Sequence, residues 1–359
     1  MLSAGDDYPI HQTPEPVAFA GSDRNFYDRY FFNGYSADGS IFFAAALGVY
    51  PHLDVIDAAF CLLIDGKQHN VRASRRLGGE RMNLSVGPIE VRVIEPLRKL
   101  VVRVSDNDGG VRADLIFDAR HTPIEEPRFT RRIGTRMFMD YTRMTQNGVW
   151  SGDLSLKGES IDIAGAFGTR DRSWGIRPVG APDSQPAPAS PQFFWLWAPF
   201  NFETHAVFCH TNDDEAGKAW NRRAVVDHLG KARTEFESPH FELTYGAGTR
   251  RLQSARIALS SEASLDIEPT GPKFYMSGLG YTHPTWGHGR DHGAFETTYD
   301  AIDLASIDDT APGQLHIQAL ARATLRTTSG EHQGRGVLEQ FLIGPHAPSG
   351  FKSILDGAS

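Results

Sequence analysis

The sequence predicts an all-β fold: two antiparallel, barrel-sized sheets in series. Three observations predict it. Apolar and polar residues alternate with a period of two in one segment after another, the pattern of strands with one wet face. No segment carries a sustained apolar stripe of 3.6-residue period. The 36 glycines and 21 prolines supply many turns.

The elements follow in chain order. "NFYDRYFFNGY" (25–35) is aromatic and strand-like. "IFFAAALGVY" (41–50) is the longest apolar run, well short of the roughly 20 residues a membrane helix needs. "IEVRVIEPLRKLVVRVSDN" (89–107) reads as two strands about a turn at Glu95-Pro96, and "DGG" at 108–110 turns into the next. In "VRADLIFDAR" (111–120), Val111, Ala113, Leu115, Phe117 and Ala119 share one face. "RMFMDYTRM" (136–144) is another strand-like run, to which Tyr141, Arg143 and Gln146 add polar groups that would orient a ligand if inward-facing. Leu154 and Leu156, a turn at Lys157-Gly158, then Ile161 and Ile163 form a hairpin.

The stretch 178–191, "PVGAPDSQPAPASP", holds five prolines and supports no regular element. The expected division is therefore 1–180, a linker at 181–191, and 192–359. Beyond it, Phe193, Trp195 and Trp197 share a strand face, and 240–261 and 313–332 repeat the hairpin theme.

Composition bounds function. With 36 basic and 44 acidic residues the net charge is -8. No basic surplus exists to release counterions from a phosphate backbone, so nucleic acid is not an expected partner. Cys61 and Cys209 sit among apolar neighbours and read as buried thiols, not a disulfide framework. The segment "MLSAGDDYPIHQ" lacks a basic region followed by an apolar run, so the expectation is a cytoplasmic protein without a membrane span. A homodimer is compatible with this composition. Walker, Gly-x-Gly-x-x-Gly, Gly-x-Ser-x-Gly and His-Glu-x-x-His motifs are absent.

Two clusters carry chemistry. "GTRDRSWGIR" (168–177) follows a strand and precedes the linker. One reading is a junction clamp, with Trp174 as a plug and Arg170, Arg172 and Arg177 forked onto Asp171 or onto carboxylates of the other domain. The other is a site wall, with Asp171 as acid/base and an arginine clamping an anion or oxygen. "YMSGLGYTHPTWGHGRDHGAFE" (275–296) gathers Tyr281, His283, Trp286, His288 and His292. The His-x4-His-x3-His spacing is no familiar zinc signature, so no metal is assigned. Histidine suits proton transfer near neutral pH.

These motifs, with "FFWLWAPF" and the closing "GVLEQF", resemble the double lipocalin-like proteins: carotenoid 1,2-hydratases (hydroxyneurosporene synthases), AttH-like proteins, kievitone hydratase and some Diels–Alderases. Gly168, Arg170, Asp171, Ser173, Trp174, Gly175 and Arg177 meet the family's first motif. The resemblance implies two lipocalin-like antiparallel β-barrels side by side. It also implies a lyase without cofactor, a hydratase or dehydratase, acting on a hydrophobic small molecule. The polar 281–292 loop favours an oxygenated aromatic or terpenoid substrate over a carotenoid. The expected catalytic residues are Asp171, His283 and His288. Expected substrate contacts are Arg170, Trp174, Arg177, Tyr281, Trp286, Tyr141 and Gln146. A carbon–carbon lyase or cyclase would use the same inventory, and a non-catalytic carrier the same barrels. An acid and a histidine within hydrogen-bond reach in one pocket would distinguish the enzyme from the carrier.

Overall fold

A computed structural model describes residues 8, 10, 12, 14–19, 23–180 and 191–358 of the chain. Stretch 181–190, most of the expected linker, lies outside the described residues. The fold is all-β: two curled antiparallel sheets, matching two lipocalin-like domains. The first sheet runs Phe295–Asp303, Lys67–Arg76, Val55–Ile64, Phe42–Tyr50, Phe26–Tyr35, Phe167–Ile176, Arg136–Leu156, Val111–Ala119, Lys99–Val104, Ile89–Glu95, Ser85–Val86. The central strands of the second are Ala206–Asp213, Phe193–Phe202, Gly330–Ile343, Ile317–Thr327 and Ser264–Tyr275.

Strand Phe295–Asp303, late in the chain, forms the edge of the first sheet. It pairs with Lys67–Arg76, from Phe295 opposite Arg75 to Asp303 opposite Lys67. Buried Arg72 anchors it through an ion pair to Asp300. The expected hairpins are present: Ile89–Glu95 pairs with Lys99–Val104, and Leu154 lies opposite Ile161. Lys157 and Gly158 both take positive φ in that tight turn, 53° and 88°. Cys61 and Cys209 are buried free thiols.

The stretch 168–177 does not merely follow a strand but forms one. All but Arg177 lies in strand Phe167–Ile176, which pairs with Phe26–Tyr35 on one side and Arg136–Leu156 on the other. Its glycines serve this packing. A Cβ on Gly168 would lie 2.3 Å from Trp150 Nε1, the indole nitrogen that donates to Asn33 O at 2.8 Å. Gly175 has φ 139°, and a Cβ there would lie 2.4 Å from Asp140 O.

Strand parity divides the core. Phe32, Phe117 and Trp150 fill the inside of the first sheet; Phe194, Leu196 and Phe200 fill the second. A third core lies between the sheets, where Tyr27, Phe31, Tyr35 and Tyr141 meet Trp195, Trp197, Phe274 and Val337. Buried amides bolt this interface: Asn33 donates to Gln318 Oε1 (2.9 Å), and Asn147 to Phe200 O (3.2 Å). Each satisfies a group that would be costly to bury unpaired.

Candidate functional site

The interface core does not close completely. Between strand Arg136–Leu156 of the first sheet and strands Phe193–Phe202 and Gly330–Ile343 of the second, a cavity of about 520 Å³ remains. The loop after Leu279 roofs it with Gly280, Tyr281, His283 and His288. Its size falls in the small-molecule range. Tyr141, Trp195, Phe193 and Phe341 supply apolar walls, with Arg143, Arg177, Arg290, His316 and Glu339 set among them.

Tyr281 is the landmark. Its ring lies edge-on to His288 at 4.3 Å and edge-on to His316 at 4.7 Å. On the His288 side are two arginines. Arg29 Nη1 contacts both ring nitrogens of His288, Nδ1 at 2.6 Å and Nε2 more closely, and Arg177 Nη2 meets Nδ1 at 3.1 Å. Leu279 O, which can only accept, lies 3.1 Å from Nε2 and takes its proton, which leaves the Nδ1 lone pair for Arg177. Burial, then the charges of Arg29 and Arg177, hold His288 well below the usual histidine range. It is a neutral imidazole that positions two cations.

On the other side of Tyr281, His316 Nε2 bonds Glu339 Oε1 at 2.7 Å. Trp195 Nε1 also donates to Glu339 Oε1 (2.8 Å), and Gln318 Nε2 to Oε2 (2.6 Å). Burial would raise the Glu339 acid. His316 and these hydrogen bonds outweigh it, and Glu339 lies below the usual carboxylate range. With Nε2 engaged, His316 Nδ1 has no protein partner among the described residues.

The floor belongs to the first sheet. Arg143 forks onto Glu126, Nε to Oε1 at 2.8 Å and Nη2 to Oε2 at 2.6 Å, and Thr145 adds a donor at 2.6 Å. Its guanidinium lies 4.5 Å from the Trp195 ring centre. Asp171 pairs across the ladder with Thr145 and Phe31, on the face that carries Arg143, and Ser173 is opposite Arg143. It is therefore the diagonal neighbour of Arg143, turned toward the second sheet. Its carboxylate makes no hydrogen bond or ion pair among the described residues. Enclosed by protein yet keeping some open surface, it has a pKa raised to about 7. Burial is the largest cause; Arg143 opposes it, and Glu126 and Glu339 add to it.

Of the residues expected at the site, Tyr141, Arg177, Tyr281, His283 and His288 line the cavity. Asp171 faces the same interface. Parity turns the others away. Arg170 and Gln146 bond each other at 2.8 Å on the opposite face, where Arg170 stands over Phe117. Trp174, on that face too, is 41% exposed. Trp286 stacks on His292 at 3.8 Å and borders a separate crevice. His283 Nδ1 accepts the backbone N–H of Trp286 at 2.9 Å, closing the loop on itself. The arginine clamp on Asp171 does not form: Arg172 pairs with Asp28, and Arg177 with His288. Histidines 283, 288 and 292 have three different settings, and no group of three or more metal-ligating side chains converges among the described residues. Sequence reasoning missed Glu126, His316 and Glu339. "LHIQ" and "LEQF" did carry a signal: charged or imidazole groups inside otherwise apolar strands, which must be partnered if buried.

A family of unknown function, DUF8625, matches residues 2–352, and the chain belongs to it. No curated protein matches the sequence. Solved structures share the fold. An AttH-like protein from Nitrosomonas europaea has a TM-score of 0.55 at 13% identity, over 93% of this chain and 98% of its own. Kievitone hydratase from Nectria haematococca has a TM-score of 0.54 at 13% identity, over 88% of each chain. CghA has a TM-score of 0.52 at 12% identity, over 89% of this chain and 88% of its own, and is also solved with Sch210972. These likenesses establish the fold and bear out the motif resemblance at that level. Among the described residues no helix is long and apolar enough to cross a membrane.

Proposed function

We propose that the chain is an acid–base lyase, adding water to or removing it from an oxygenated aromatic or terpenoid small molecule held between the two sheets. One observation carries this reading: a buried His–carboxylate pair, His316 and Glu339 at 2.7 Å, lines an amphipathic cavity. The groups differ from those expected, but an acid and a histidine share one pocket, which favours an enzyme over a carrier.

In the dehydrating direction, His316 Nδ1 takes the proton of the C–H next to the leaving hydroxyl. Glu339 stabilises the imidazolium that forms. The C–H electrons become the new double bond as the C–O bond breaks, and the departing oxygen takes a proton supplied from Asp171, which adjoins Arg143 of the cavity floor without itself lining the cavity, and leaves as water. A carboxyl with a pKa of about 7 is suited to that donation near neutral pH. Aromatic faces of Tyr281, Trp195 and Phe341 stabilise positive character on the reacting carbons. Hydration runs the same steps in reverse.

The test is to incubate the purified chain with a panel of hydroxylated phenolics and terpenoid alcohols and follow gain or loss of one water by mass spectrometry. Turnover by the parent protein, abolished in His316→Ala, is the expected result. Binding of panel members with no chemistry in any of them would favour the carrier.

A further inference from the structure

The charges lining the cavity do not balance. Its arginines are Arg24, Arg143, Arg177 and Arg290, while Glu339 is its one carboxylate among the described residues. Arg143 is committed to Glu126, and Glu339 to His316. Among the described residues Arg177 hydrogen-bonds no carboxylate; its partners are His288 and the face of Tyr27 at 4.4 Å. Its Nε is buried without a hydrogen-bond partner, as is Nε of Arg29 behind it. The Arg290 side chain makes no hydrogen bond or ion pair among the described residues.

His288 explains how two guanidiniums are held without being neutralised. A carboxylate in its place would cancel one charge. The neutral imidazole contacts both arginines, accepts from Arg177, and cancels neither charge. Asp57 is close enough for the charges of Arg29 and Arg177 to oppose the effect of burial on its carboxyl, but it forks onto neither; its hydrogen bonds come from Gly289 N (2.7 Å) and Tyr50 Oη (3.2 Å). Partly buried in the cavity wall, these cations attract an anion more strongly than fully exposed ones would.

We infer that this end of the cavity binds a carboxylate of the substrate, with Arg177 as the main fork and Arg290 as a second donor. The inference deepens the lyase reading and rests on it for placing the substrate in this cavity. It narrows the substrate to an aromatic or terpenoid acid. Tyr281 separates the arginine end from His316 by one ring's width, so the carboxylate would lie close to the reacting carbons.

The test uses two fluorescent probes on the full chain: 8-anilinonaphthalene-1-sulfonate, an oxyanion, and N-phenyl-1-naphthylamine, the same rings without the anion. The anionic probe should bind about tenfold tighter or more. Arg177→Met should erase that preference while leaving the neutral probe's affinity unchanged. Arg290→Met should lower it several-fold, and 4-hydroxycinnamate should displace the anionic probe better than its methyl ester. Equal affinity for the two probes overturns the inference, as does equal weakening of both in a folded Arg177→Met protein. Should Arg177→Met, which loses the packing on Tyr27, fail to fold, Arg290→Met and high salt, which should weaken only the anionic probe, decide. The outcomes separate the two readings. Anion preference without turnover sinks the lyase and spares this inference; turnover of neutral substrates without anion preference does the reverse.

Discussion

Two carboxylates face the interface from opposite sheets, and they differ in a way that assigns their roles. Glu339, from the second sheet, accepts from His316, Gln318 and Trp195. Asp171, from the first, accepts from no side chain among the described residues. Both are enclosed by protein. Hydrogen bonding to the charged form keeps Glu339 an anion; burial without such bonds keeps Asp171 an acid up to about 7. Pairs of acids pushed apart by their surroundings are how one site holds a base and an acid at one pH.

The sharpest way to break the contrast is to remove the satisfied member. Glu339→Ala leaves three buried donors without their acceptor, and should cost at least about 3 kcal/mol in urea unfolding as well as abolishing turnover. Asp171→Asn removes an acid that is bonded to nothing. It should cut turnover about a hundredfold and leave stability at pH 8 equal or higher. A variant that loses both activity and fold would make Asp171 a structural clamp.

A third, smaller effect is a pH dependence. An unfolded aspartate releases its proton near 3.8, whereas Asp171 holds its proton to about 7. Between those values the folded state binds more protons, so this residue makes stability fall as pH rises through the interval. The difference in urea midpoint between pH 5 and pH 8 should shrink in Asp171→Asn relative to the parent. The parent's turnover should also decline above about 7, as the acid ionises.

Much of the fold was legible because a strand's parity is local. Val111, Ala113, Leu115 and Phe117 alternate, and they alternate in the structure. The same rule, applied within "GTRDRSWGIR", would have separated Asp171 and Ser173 from Arg170, Arg172 and Trp174. Applied to the 136–156 strand it would have parted Tyr141 and Arg143 from Gln146. The cluster looked like one site because its residues were adjacent in sequence, whereas adjacent strand residues face opposite ways. The rest was not legible because it is non-local. His316 and Glu339 come from neighbouring strands, Ile317–Thr327 being preceded by His316, and their mate across the cavity is more than a hundred residues away. No spacing rule joins residues that meet only when two sheets pack.

The smallest expected effect tests the parity argument directly. Trp174 is the most conspicuous residue of the opening motif, yet it is 41% exposed on the face away from the cavity. Arg172 stands 5.9 Å from its ring and is already paired with Asp28, the ladder partner of Trp174. Trp174→Phe keeps an apolar ring at a half-covered surface position. It should change unfolding free energy by no more than about 0.5 kcal/mol and leave turnover and probe binding unaltered. A large loss of turnover from this one substitution, with unfolding unchanged, would mean that the substrate reaches the outer face of strand Phe167–Ile176. The two walls contrasted here would then be only part of the site.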